Sequence, residues 1–172
     1  MGWVVYDHRE NLTMSPTTYL KLNEGDLEWI NGQLNAATQF VARYSSPDAG
    51  DPLNISNLDR AFTAWARMGV TDRQVITDVC SIVGIAFASF LVRDAGFTWV
   101  VSSDVYTHEI AISSANAIIN PADFVEKQYA RHQTHFLEDH FRNLVAQNKA
   151  VKSKIDRDSQ SIKSLWKRVT NK

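Results

Sequence analysis

Between Val79 and Val92 the chain runs through 14 consecutive residues without a charge, VCSIVGIAFASFLV. A helix that is apolar nearly all round has to be covered nearly all round, so the remaining elements must wrap it. The run is shorter than the about 20 residues that a membrane-spanning helix needs, and it contains Ser, Gly and Ala. It therefore predicts the buried central helix of a soluble protein. Thr71 and Gln74 have the spacing of a capping box and mark its start. It runs to about Asp94, and Gly96 follows as a C-terminal stop. Gly84 and Ala88, one turn apart, leave room for a closely packed neighbour. Cys80, the single cysteine, cannot form an internal disulfide. With no His, Lys or Arg beside it in the run, it reads as a small buried hydrophobe and not as a nucleophile.

Around this helix the periodicity alternates between two templates. Leu27, Ile30, Leu34, Ala37, Val41 and Tyr44 fall at helical spacing. Leu58, Phe62 and Trp65 form a second stripe, with Ser56 as its N-cap and Gly69 as its end. After Gly96 the period drops to two. Phe97, Trp99 and Val101 alternate with Thr98, Val100 and Ser102, and His108, Ile110 and Ile112 alternate with Glu109, Ala111 and Ser113. This predicts a hairpin with its loop near residues 103–107, and NAIIN (116–120) reads as a third short strand. WVVY at residues 3–6 reads as a further strand, and Pro16 breaks the chain after it. Asn120 with Pro121 opens a helix expected to run to residue 147.

With 172 residues, 44% of them hydrophobic, the chain suits one domain with an appendage. We assign residues 1–147 to the domain and 148–172 to a basic helical tail. The tail carries eight Lys/Arg and two Asp, whereas residues 1–147 carry ten Lys/Arg and 17 Asp/Glu. Val151, Ile155, Ile162, Trp166 and Val169 form a helical stripe in the tail, flanked by Lys152, Lys163, Lys167 and Arg168. This amphipathic helix is expected to pack on its own domain, on a second subunit or on another acidic surface. Nucleic acid is disfavoured because the body is acidic. The first residues, MGWVVYDHRENL, are polar where a secretory signal is basic and then apolar, so a cytoplasmic setting is expected.

The richest cluster of ionisable residues is EKQYARHQTHFLEDHF, residues 126–141. On one continuous helix, His140 falls on the core face, and His132, His135 and Asp139 form a row. A zinc site wants three or four converging ligands with a supporting shell; H-E-x-x-H is absent, and Arg131 and Arg142 would repel a cation. We expect no metal site and no bound cofactor. The chain has no P-loop, no G-x-G-x-x-G and no G-x-S-x-G. No catalytic set is assigned. The remaining polar group surrounds the hairpin, where Trp99, Asp104, Tyr106, His108 and Glu109 are the candidate binding residues.

The order of these features carries a resemblance. The helix VGIAFASFLV is followed by Gly96, Trp99, Asp104, Tyr106 and Glu109, then by a Pro-started helix with Pro121, Val125 and Lys127. Residues 58–131 resemble the bacterial family catalogued as domain of unknown function 3806. The resemblance implies a bacterial cytoplasmic origin and brings no established activity.

The sequence thus predicts an α+β fold. A helical first half packs on a small antiparallel sheet of two or three strands, followed by a long helix and a basic amphipathic C-terminal helix. The preferred function is a non-catalytic interaction or binding module with a protein partner or a second copy, as in a dimer. One alternative is a hydrolase-type enzyme using Asp104, His108 and Glu109. The other is an immunity or inhibitor protein that binds a basic partner.

Overall fold

A computed structural model describes residues 18–46, 52–103, 108–114 and 117–170, and the side chains of these apart from Thr18, Lys152 and 155–170. In chain order the elements are β1 (Thr18–Leu20), α1 (Glu24–Tyr44), α2 (Ile55–Ala66), α3 (Arg73–Ala95), β2 (Thr98–Ser103), β3 (His108–Ser114), β4 (Ala117–Ile119), α4 (Pro121–Ala130) and α5 (Leu137–Thr170). The α+β expectation holds.

α3 is the axis that the apolar run demands. Cys80, Val83 to Ala88, Phe90 and Leu91 are buried, and α1, α2, α4 and α5 all pack on this helix. By length and composition α3 is also apolar enough to cross a membrane; half of its apolar window is buried inside the protein. Burial pushes the Cys80 thiol up to about 12, with the Glu126 charge adding to the effect. Gly84 meets the start of α4: a Cβ there would lie 2.5 Å from the Pro121 carbonyl oxygen. The neighbour that Gly84 admits is therefore backbone, and a stacked Phe87–Phe124 pair, 5.5 Å between ring centroids, continues the contact. Gly96 ends α3 in the left-handed conformation, φ +72°, as a C-cap glycine does.

The helix starts differ from the sequence expectation at two places. Asp72, not Thr71, caps α3 by accepting from the Val75 N–H at 3.1 Å, while Gln74 donates to Asp78. Asn54, not Ser56, caps α2; Ser56 instead donates to Glu138 on α5. In each case a neighbouring Asx side chain reaches the amide three residues on, as the short polar side chains favoured at N-caps do. The α2 stripe of Leu58, Phe62 and Trp65 is buried, whereas Leu27 of α1 remains 49% exposed.

The sheet is antiparallel with order β1-β2-β3-β4. The hairpin register pairs Trp99 with Ile112 and Val101 with Ile110, so Phe97, Val101 and Ile112 are buried together on one face. The expected third strand is β4. The fourth, β1, pairs with β2 through Tyr19↔Ser102 and lies where the sequence suggested only a break. Residues 3–6, expected as a strand, lie outside the described residues.

The largest departure is the helix expected over 121–147. Asn120 and Pro121 open α4 as anticipated, but α4 ends at Ala130 and α5 begins at Leu137. His132 and His135 both adopt φ +56° between them. Tertiary partners enforce the break. Asp59 of α2 accepts from the Leu137 N–H, Thr63 accepts from the His135 N–H, and Phe136 packs edge-on against Phe62. From Leu137 the backbone continues as one 34-residue helix into the basic tail, and Asn148 donates to the Ala95 carbonyl at the end of α3.

Candidate functional site

β4 pairs only with Ile112–Ser114 of β3, so the first half of β3 lacks a strand partner on that side among the described residues. A pocket of about 560 Å³ opens there, lined by Asp26 and Trp29 of α1, Ile85 of α3, His108, Glu109 and Ile110 of β3, and Asn120 and Ala122 at the start of α4. Its volume falls within the ~300–1,000 Å³ of small-ligand sites. The Gly84–Pro121 approach brings the start of α4 close enough for Ala122 and Ile85 to share one wall.

Local chemistry fixes each polar group. At the N-terminus of α1, Asn23 and Asp26 form a reciprocal capping box: Asp26 Oδ2 accepts from the Asn23 N–H at 2.8 Å and Asn23 Oδ1 accepts from the Asp26 N–H at 3.0 Å. The other Asp26 oxygen lies 3.1 Å from His108 Nε2. The Asn23 backbone bond, then the His108 bond, hold the Asp26 carboxyl below its usual range despite burial. On the opposite wall Asn120 donates to Glu109 Oε2 at 2.6 Å and caps α4 through the Asp123 N–H. Trp29 is 43% exposed and offers ring surface to an incoming group.

Of the five candidate binding residues, His108 and Glu109 share this pocket. Trp99 packs against the hydrophobic core instead. Asp104 and Tyr106 lie outside the described residues. Sequence reading missed Asp26, Trp29 and Asn120. The box spacing of Asn23 and Asp26 was a usable signal for the α1 terminus, but nothing in the sequence joins it to a strand 82 residues on.

The His132, His135 and Asp139 row does not form, because the two histidines sit in the α4–α5 turn. His140 keeps its expected place: Nδ1 lies 2.8 Å from the Phe136 carbonyl and its ring packs edge-on against Phe124 and Phe136. Among the described residues no three His, Cys, Asp or Glu side chains converge as metal ligands.

No protein-family model matches the chain, and no curated protein does. The fold is similar to that of a protein from Bacteroides thetaiotaomicron VPI-5482, whose crystal structure is known at 1.50 Å resolution, with a TM-score of 0.62 at 12% identity. The match covers 77% of this chain and 48% of that one. At this identity the likeness concerns the fold alone.

Proposed function

We propose that the protein is a non-catalytic binding module whose pocket captures a basic side chain of a protein partner. The observation that carries this reading is the lining: two carboxylates, Asp26 and Glu109, beside the Trp29 ring, with no Lys or Arg among the described lining residues. A cation on an apolar stem fits such a surface. The stem lies along Ile85, Ile110 and Ala122, and the charge meets Glu109 and the indole face. The acidic balance of residues 1–147 favours the same partner at longer range. An inhibitor of a basic protein is one form of this function. The resemblance to domain of unknown function 3806 is consistent with a bacterial cytoplasmic setting and adds no chemistry.

The test is calorimetric titration of the full chain with arginine-rich and glutamate-rich peptides. The arginine-rich peptide is expected to bind, more weakly as salt rises. Glu109→Gln keeps an acceptor for Asn120 but removes the charge, and should weaken binding by about tenfold. Equal binding by the variant rejects the reading.

The Asp26–His108 pair favours one second reading. A carboxylate-held imidazole is the beginning of an acid/base site. A hydrolase reading keeps His108 and Glu109 of the set expected from the sequence and puts Asp26 in the place of Asp104, which lies outside the described residues; it predicts hydrolysis that His108→Ala abolishes.

A further inference from the structure

We propose that a second, oppositely charged hollow, between α2, the C-terminal end of α1 and the α4–α5 turn, binds a small phosphate monoester. The hollow holds about 360 Å³, and Arg60, Arg67 and His135 line it together with the hydroxyl-bearing Ser45, Ser46 and Thr63; no carboxylate is among its described lining residues. That volume exceeds one phosphate and leaves space for a small organic body.

α2 sets the geometry. Arg60 and Arg67 are seven residues apart, two helical turns, and so share one face. Ala64 between them keeps the space open. Asn57 Oδ1 accepts from Arg60 Nη2 and orients that guanidinium. Planar guanidinium forks match the oxygens of a phosphate and are the usual means of gripping one.

His135 completes the wall, and its placement is the independent observation. It is one of only two non-glycine residues with positive φ among the described residues. Such strain persists where the surroundings over-determine it, and it clusters at functional sites. Here the His135 N–H donates to Thr63 at 3.0 Å, and its Nδ1 lies 3.8 Å from the Asp59 carboxylate. Asp59 is 5% exposed and accepts from the Leu137 N–H, so it anchors the turn that carries His135, and its charge subtracts from that of the two guanidinium groups.

The probes are phenyl phosphate and inorganic phosphate, titrated into the full chain at low salt and followed by NMR at Arg67 Nε and the His135 ring. Phenyl phosphate should saturate both signals in the millimolar range. Arg67 is exposed, so Arg67→Ala should leave melting unchanged while weakening binding by about tenfold. Arg67→Lys, which keeps charge without the fork, should recover only part of that loss. No saturable shift, or equal affinity in Arg67→Ala, overturns the site. Equal affinity for inorganic phosphate overturns the monoester assignment.

Discussion

Two buried carboxylates show how opposite environments act on the same chemistry. Asp26 accepts hydrogen bonds that favour its charged form, and its carboxyl is held down. Asp59 loses water on burial, and this outweighs the bond from Leu137, so its carboxyl is pushed up. The signs of their pH dependence therefore differ. Asp26 stabilises the fold above its unfolded value, and that contribution disappears as pH falls through the lower folded value. Asp59 favours folding fully only below its unfolded value, and that contribution is lost as pH rises through the raised folded value. Thermal melts across the acid range should separate them. Relative to the wild type, Asp26→Asn should be destabilised at neutral pH, with the gap closing below about pH 4. Asp59→Asn should gain relative to the wild type as pH rises. Parallel curves for all three proteins would contradict both assignments. Neither residue was singled out from sequence, because a carboxylate next to an apolar stripe looks the same whether it faces water or a neighbouring helix.

At the scale of elements, the start of α4 is set by local chemistry and its end by distant partners. Asn120, Pro121 and Asp123 are a start signal that any chain would use. The stop after Ala130 has no Gly or Pro to announce it, and Thr63 and Asp59 supply the partners from another helix. Glu138 and Asp139 in the first turn of α5 are the one sequence trace of a new helix N-terminus. The α3–α4 crossing rests on Gly84. Gly84→Ala places a methyl group against the Pro121 carbonyl, and overpacking of this kind costs about 1–3 kcal/mol. A denaturant melt should show that loss, together with weaker peptide binding, because Asn120 and Ala122 must move away from Ile85. Unchanged stability would mean that the helices do not approach as closely as described.

At the scale of the whole molecule, an acidic and a basic hollow lie on separate sets of the described residues, Asp26, Trp29 and Glu109 in the first and Arg60, Arg67 and His135 in the second. Each should be removable alone. Glu109→Gln should leave phenyl phosphate binding unchanged, and Arg67→Ala should leave arginine-rich peptide binding unchanged, both measured by titration. Loss of both activities in either variant would show that the hollows are not independent. The central helix, the hairpin with its partner faces and the capped start of α4 were determined by the sequence itself, through periodicity and caps that act within a few residues. His108 and Glu109 were legible as candidates because they flank the hairpin turn. Their companions were not, and neither were the edge strand β1 and the turn that splits α4 from α5. Only the tertiary structure decided these, because each depends on groups tens of residues apart, and side-chain periodicity records which face of an element is buried but not what buries it.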